Sequence, residues 1–215
     1  MPRSSRLRLW TLLRDAESLR QGRPACDNLC EDHRKIEVYL DRLLAALQDP
    51  RPEGIPGIRS IVDEIQRLRA IHFEKEENLF YPKLRTALPE LLDQMDGQHE
   101  LIREVEMHVT GMLADPPQHP DPRWLHELRL VGIEFHDHIQ HHIVDEEDHL
   151  FRLAEDQLTA EEQAALERGM VAVEERMASS CKFDLSKKIG KIPPPPKQRS
   201  GDGWFLSRRS APRSS

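Results

Sequence analysis

Residues 70–84, AIHFEKEENLFYPKL, contain the pattern from which the fold and the site are predicted. His72 is followed four residues later by Glu76, then by a second glutamate and a Leu-Phe pair. Side chains four residues apart lie one turn apart on the same face of an α-helix. A helix here would therefore present an imidazole and a carboxylate in one direction, a donor combination typical of metal sites.

A second stretch, residues 139–153 (IQHHIVDEEDHLFRL), repeats this pattern with His142 and Glu146 and has one extra residue before its Leu-Phe pair. One such pair is weak evidence, because 11 His and 22 Glu in 215 residues give about one by chance. The chain has three such His/Glu pairs. In the remaining one, His33/Glu37, we interpret Glu37 as a solvated flanking residue. The prediction therefore depends on the repeated context, not on the spacing alone.

Four segments place apolar residues at alternating steps of three and four, the period of an amphipathic helix. We expect Asp27 or Asn28 to cap the first helix, Pro50 to end it and Pro82 to bend or end the second. The run DPPQHPDP (residues 115–122) separates the third from the fourth. Short loops between helices of similar length predict an all-α, up-down-up-down four-helix bundle. The four seams run through residues 29–47, 58–79, 92–113 and 128–146.

The chain after the bundle predicts one more helix and a tail. Thr159 with Glu162 forms a capping-box pattern for a fifth helix that reaches about Ala178. The stretch IPPPPKQRSGDG that follows excludes helix and favours a polyproline-like or disordered segment. These signals divide the chain into a basic N-terminal extension (1–24), the bundle (25–155), an additional helix (156–180) and a basic, Pro-rich, disordered tail (181–215).

The formal charge of −7 is unevenly distributed along the chain. Residues 1–24 hold six Arg against two acids, residues 182–215 hold nine Lys and Arg against two acids, and residues 25–181 carry −18. We interpret the basic arms as solvated disordered tails, with contact to a protein, a nucleic acid or a membrane surface as the alternative.

The apolar runs are too short to span a membrane, and the N-terminus lacks the apolar core of a secretory signal. The three cysteines are too few for a disulfide framework, so we predict a cytoplasmic protein. Cys26 and Cys30 lie one helical turn apart and could form a redox pair, although two ordinary thiols are the favoured interpretation. No role is predicted for Cys181.

Single histidines in the first and third seams, His33 and His99, complete a set of four His and two Glu in one small core. A buried ionised carboxylate costs several kcal/mol unless it is paired or bound to a metal, so hydrogen-bonded core histidines are a poor explanation of the whole set. Nitrogen and oxygen donors without thiolate favour Fe or Mn. Six donors suggest two ions on the order of 3.5–4 Å apart that share carboxylate bridges. The candidate metal ligands are His33, His72, Glu76, His99, His142 and Glu146.

Three further side chains near the pattern are open to interpretation. His138 is expected on the same seam one turn before His142, as an extra ligand, a second-shell donor or a lid, with the second-shell role favoured. His149 gives an E-x-x-H spacing typical of ferritin-type sites, but the first half of the chain has no counterpart. Tyr81 falls just beyond the motif, and no role at the site is expected for it.

The order H…H-x-x-x-E…H…H-x-x-x-E over about residues 25–155 resembles the hemerythrin-like (HHE cation-binding) family. It is most similar to the non-heme di-iron members with four His and two bridging Glu. The resemblance implies a hemerythrin-like bundle whose six candidate ligands hold two Fe ions joined by carboxylates and an oxo or hydroxo bridge. Arg103 stands where the oxygen-carrying members place a further His, which argues against a dedicated oxygen carrier.

Three functions are consistent with such a centre. The first is a di-iron binding protein that meets O₂, NO or peroxide as a sensor, a scavenger or an iron store in a stress response. The second is an enzyme that reduces peroxide or NO, or that donates iron for the repair of iron–sulfur clusters; this function needs a redox-active residue near the site. The third is a regulatory module in which the metal controls contacts made by the basic tails.

Overall fold

The computed structural model describes residues 23–189, with side chains as far as residue 179, and within this part of the chain it contains helices and no strand. This confirms the predicted all-α fold. The helices are α1 (Pro24–Ala46), α2 (Ile55–Lys75, continuing to Leu84), α3 (Pro89–Ala114), α4 (Pro122–Asp145, continuing to Gln157) and α5 (Ala160–Ile189). A single 3-10 turn, Pro52–Gly54, precedes α2. Of the predicted basic tails, residues 1–24 and 181–215, the parts 1–22 and 190–215 lie outside the described residues, whereas residues 181–189 continue helix α5 and are not disordered as predicted.

The helix starts follow the local sequence, with one correction. Helix α1 begins at Pro24, so the predicted caps Asp27 and Asn28 are wrong. Proline is favoured in the first helical turn because its φ is already helical and its missing N–H would have no partner there. The capping box before α5 is confirmed: the Thr159 hydroxyl accepts from the Glu162 N–H, and the Glu162 carboxylate accepts from the Thr159 N–H.

Helices α2 and α4 are each interrupted by five π-helical residues, Glu76–Phe80 and Glu146–Leu150. The Tyr81 N–H donates to the Glu76 carbonyl across five residues, and Phe151 does the same in α4. Such segments widen one turn of a helix and are frequent at functional sites. Both π-helical segments start at the glutamate of the H-x-x-x-E pair. The two halves of the chain therefore align residue by residue, without the extra residue that the positions of the Leu-Phe pairs suggested. In this alignment Tyr81 is the counterpart of Phe151.

The bundle closes in chain order, because α1 packs against α2 and α4, and α3 packs against α2 and α4. Two apolar clusters fill it, one on each side of the layer that holds the predicted ligands. The first cluster contains Ile36, Leu40, Ile65, Ile102, Phe135 and Ile139 among others. The second contains Leu29, Phe80, Met95, Leu150, Phe151 and Met170 among others.

Four predicted seam positions are only half-buried in the structure: Ile61, Leu68 and Leu79 in α2, and His138 in α4. Ile139 is buried and His138 is not, so the seam of α4 steps from Phe135 by four residues and not by three. In α2, Phe80 is buried and Leu79 only half-buried, because the π-helical segment adds a residue to the turn.

Helix α5 covers the second apolar cluster with Leu166 and Met170. Burying side chains of this size contributes about 1.5–3 kcal/mol each. Helix α5 also carries Glu174, which pairs with the fully buried ammonium of Lys75 in α2.

The chain divides into one compact unit up to Ala178 and another from Ser179, of which the helical backbone is described to Ile189. None of the described helices is long and apolar enough to cross a membrane.

Candidate metal centre

The structure brings all six predicted ligands into one buried layer, with the four His Nε2 atoms turned toward one another and toward two carboxylates. Each of these side chains is no more than 1% exposed. The shortest separations between donor atoms lie in the range expected for neighbouring ligands of one ion, since metal bonds of about 2.0–2.2 Å at right angles place two donors about 3 Å apart. The separations are 3.0 Å for His33–His72, 3.1 Å for His99–His142, 3.1 Å for His72–Glu76, 3.1 Å for His33–Glu146 and 3.3 Å for His99–Glu76.

The outward ring nitrogen, Nδ1, of His33 and of His99 is hydrogen-bonded to the second glutamate of one motif. Glu147 lies 3.1 Å from His33 Nδ1, and Glu77 lies 2.7 Å from His99 Nδ1. Hydrogen bonds from His99 and from Arg103 lower the pKa of Glu77 to about 2, so this carboxylate only accepts. Each motif therefore contains two candidate ligands and also orients the lone histidine of another helix, a role that was not predicted from the sequence although the E-E pair was visible in both copies.

Gln98 and Asp32, the residues before the lone histidines His99 and His33, lie behind the rings of His142 and His72 respectively. Gln98 donates its amide N–H to Asp145 at 2.7 Å, which leaves its carbonyl oxygen to accept from His142 Nδ1 at 2.9 Å. Asp32 takes the equivalent place behind His72, but at 3.8 Å from Nδ1, and it binds Lys75 instead. His72 Nδ1 has no hydrogen-bond partner within the described residues.

The inward atoms carry more lone pairs than hydrogen bonds can satisfy. Since His99 and His142 donate outward from Nδ1, the neutral form of each ring turns an Nε2 lone pair inward, and the two Nε2 atoms lie 3.1 Å apart. Within the described part of the chain, neither oxygen of Glu76 accepts a hydrogen bond, although His72 Nε2 lies 3.1 Å from Oε1. A fully buried carboxylate that accepts no hydrogen bond is costly unless the histidines beside it are protonated, and a metal ion is a partner that would satisfy all these lone pairs.

The electrostatics of the cluster favour positive charge. Burial lowers the pKa of His33, yet hydrogen bonds to Glu146 and Glu147 raise it by more, so the net shift is upward. Burial dominates at His142 and lowers its pKa to about 4. The two glutamates therefore attract protons or a metal ion to a pocket from which water is excluded.

The donor atoms form two groups that share Glu76. Within each group the donors lie within 4.8 Å of one another, and all are buried. The first group is His33, His72, Glu76 and Glu146, and the second is Glu76, His99 and His142. Each group could hold a metal ion, and the Glu76 carboxylate is common to both.

Tyr81 lies at the site, contrary to the expectation that it falls beyond the motif. Its hydroxyl donates to Glu146 Oε1 at 2.7 Å and lies 3.3 Å from His99 Nε2. Burial, together with the charges of Glu146 and Glu76, raises its phenol pKa well above the ordinary value, so the proton stays on the oxygen. In a regular α-helix, residue 81 would point about 140° away from residue 76, and the π-helical turn brings it back toward the ligands.

Other candidate side chains do not reach the donors. His138 is 33% exposed and its nearest acid is Glu134 at 3.9 Å, so the second-shell contacts come from residues other than His138. His149 is exposed and bonds the Asp145 carbonyl. Arg103, at the position of the further histidine, instead binds Glu77.

The two thiols of α1 have no redox features. Cys26 is buried and Cys30 half-buried, and both are free. Burial raises the pKa of the Cys26 thiol to about 11, and that of Cys30 is also raised by burial. High thiol pKa values mean little thiolate at neutral pH, which favours the interpretation of two ordinary thiols.

Comparison with known proteins adds one finding. The family model described as the hemerythrin HHE cation binding domain matches residues 25–154, the range that contains every ligand described above. Neither the curated proteins nor the solved structures gave a significant match.

Proposed function

Because the chain belongs to the hemerythrin HHE cation-binding domain family, we propose that its bundle holds two iron ions and serves to bind O₂, NO or peroxide as a sensor, a scavenger or an iron store. The observation that carries the proposal is the sharing of the buried Glu76 carboxylate between two groups of donors. One oxygen lies beside His72 and the other beside His99, so one carboxylate has an atom for each ion.

The donor set supports iron over the common alternatives. Four imidazoles and two carboxylates without thiolate suit Fe or Mn, whereas a structural zinc is satisfied by four ligands, often with Cys. Bound iron would supply reversible electron transfer and open positions for a small ligand. The chain's own residues hold the donors in place: Glu77, Glu147 and Gln98 fix three rings from behind, and the apolar clusters keep bulk water away.

Elemental analysis of the full chain, produced with iron and freed of loose metal, tests the proposal. We expect about two irons per chain, reduced in His99→Ala and unchanged in His149→Ala, which removes an exposed imidazole of the same chemistry. Binding should be lost on dialysis at about pH 4.5, because the ligands must be neutral imidazoles with ordinary pKa values of about 6.5. No iron, zinc or manganese above background would refute the proposal.

A di-iron enzyme is the second candidate, and the position of Tyr81 favours it. Reduction of peroxide or NO needs a redox-active residue near the metals, and the Tyr81 phenol is hydrogen-bonded to the ligand Glu146. The test is sustained consumption of peroxide by the iron-loaded chain in the presence of a reductant. The same chain loaded with zinc, which has no redox chemistry, is the matched control. Equal rates for both would exclude the enzyme.

The regulatory function of the basic tails remains a prediction, since residues 1–22 and 190–215 lie outside the described part of the chain. Removal of residues 182–215 should leave metal binding intact and abolish partner binding if this function is correct. Iron content and pull-down of a nucleic acid or protein partner would be measured on both chains.

A further inference from the structure

The two carboxylates at the centre of the site are not equivalent. Within the described residues neither oxygen of Glu76 accepts a hydrogen bond, and each faces a histidine, Oε1 at 3.1 Å from His72 Nε2 and Oε2 at 3.3 Å from His99 Nε2. Glu146 turns only Oε2 toward the histidines, at 3.1 Å from His33 and 3.4 Å from His142. Its other oxygen, Oε1, accepts the Tyr81 hydroxyl at 2.7 Å.

The difference between the two carboxylates arises from the hydroxyl oxygen of Tyr81, which has no counterpart in Phe151 at the equivalent position of the other motif. Tyr81 and Phe151 occupy the same position after the two π-helical segments. Tyr81 stacks on His99 with ring centroids 5.5 Å apart, and Phe151 stacks on His33 at 5.6 Å. Phe151 has no hydroxyl, so nothing on that side holds an oxygen of Glu76.

The donor count follows the same asymmetry. The group around His33 and His72 has four donors, including Glu146, whereas the group around His99 and His142 has three. Glu146 Oε2 lies 3.1 Å from His33 and 3.4 Å from His142, and the Tyr81 hydroxyl holds the remaining oxygen, Oε1, which could otherwise turn toward the smaller group. A cation in this group would therefore have the greater number of positions left for a small molecule.

We propose that the position bounded by Glu76, His99 and His142 is the one that takes the exogenous ligand, and that Tyr81 is a positioning residue that keeps Glu146 Oε1 from occupying it. The ligand class is a small anion or diatomic molecule that fills a single coordination position. This inference rests on the proposed function, since it requires a metal at the site.

The proposal assigns the hydroxyl a role that does not depend on proton transfer. The Tyr81 hydroxyl and the Glu146 carboxylate are both fully buried and hydrogen-bonded to each other. Removing the hydroxyl would free Oε1 to turn toward the three-donor group, where it would compete with the ligand. Loss of this hydrogen bond should thus weaken ligand binding while leaving metal binding intact or stronger.

Azide is the probe, titrated into the iron-loaded full chain and followed by its visible absorption. In Tyr81→Phe, which changes no other atom, we expect two irons per chain, an unchanged unfolding midpoint and azide binding weakened about tenfold or more, the scale of a hydrogen bond to a charged group. Tyr39→Phe is the matched control; it removes the same hydroxyl from a half-buried side chain packed against the first apolar cluster and should leave azide bound as tightly as in the unmodified chain.

The outcomes separate this inference from the proposed function. Equal azide affinity in Tyr81→Phe and the unmodified chain, at two irons each, would overturn the role of Tyr81 and leave the metal centre standing. Parallel losses of iron and azide in Tyr81→Phe would indicate a structural role only, which also overturns it. A phenolate-to-iron absorption band that disappears in Tyr81→Phe would show that the oxygen is itself a ligand and refute the positioning role. Failure of the unmodified chain to bind iron would refute the proposed function.

Discussion

Replacing Glu76 by glutamine should make the metal-free protein more stable than the unmodified protein. The carboxylate is completely buried, and within the described residues neither oxygen accepts a hydrogen bond. Glutamine has almost the same shape but no charge, so Glu76→Gln removes, at little cost in packing, a buried charge that the neighbouring His72 and His99 offset only when they are protonated. The same change should abolish the sharing of one carboxylate between two metal ions.

The size of the gain follows from the two burial costs. A buried ion costs several kcal/mol even after relaxation, whereas a buried neutral amide costs about 1–3 kcal/mol. The difference gives a stabilisation of about 2 kcal/mol, which for a protein of this length corresponds to an increase of about 4–8 °C in the melting temperature. Glu146→Gln is the matched control, since Glu146 already accepts hydrogen bonds from Tyr81 and His33 and should show no gain.

Urea unfolding of the metal-free chains, followed by helical circular dichroism in the presence of a chelator, measures the effect. A pH of about 8.5 reduces protonation of the neighbouring histidines, whose protons would partly compensate the carboxylate. The reasoning is refuted if Glu76→Gln is no more stable than the unmodified protein, or if Glu146→Gln gains as much. Either result would mean that the environment of Glu76 already neutralises its charge.

Three further predictions concern residues around the centre. Glu77→Ala should weaken metal binding about 10–100-fold in a chelator competition, because His99 loses its orienting acceptor; Glu74→Ala, which removes a neighbouring acid outside the site, should not. Lys75→Met should destabilise the protein by about 3–5 kcal/mol in urea unfolding, since Asp32 and an acid of α5 lose their buried cation. Alkylation of Cys26, located by peptide mapping, should be slow at pH 8 in the folded chain, rise as the pH approaches 11 and be fast after unfolding; fast labelling of the folded chain at pH 8 would contradict the raised pKa.

The parts of this fold that the sequence predicts are those governed by regular helical geometry. Every seam position predicted for α3, from Leu92 through His99 to Leu113, is buried in the structure. The six donors meet because their seams face the same core. Residue chemistry and a period of 3.6 were sufficient for this much.

The features that the sequence does not predict depend on departures from that geometry or on contacts between distant helices. A π-helical turn cannot be read from the apolar period, so the inward direction of Tyr81 and the burial of Phe80 were missed. The step from Phe135 to Ile139 is as compatible with the period as a step to His138, and only packing decides between them. Lys75 was overlooked because its partners lie on α1 and α5, far away in the chain.

The pairing of Lys75 with Glu174 means that the independently stable protein is longer than the domain its family defines. The family match ends at residue 154, but the buried ammonium depends on an acid twenty residues later, in a helix that also covers the core with Leu166. A chain shortened at the family boundary would keep every candidate metal ligand and still lose one of the acids that balance the charge of the buried Lys75. Mutations in α5, well outside the recognisable domain, are therefore expected to alter its stability.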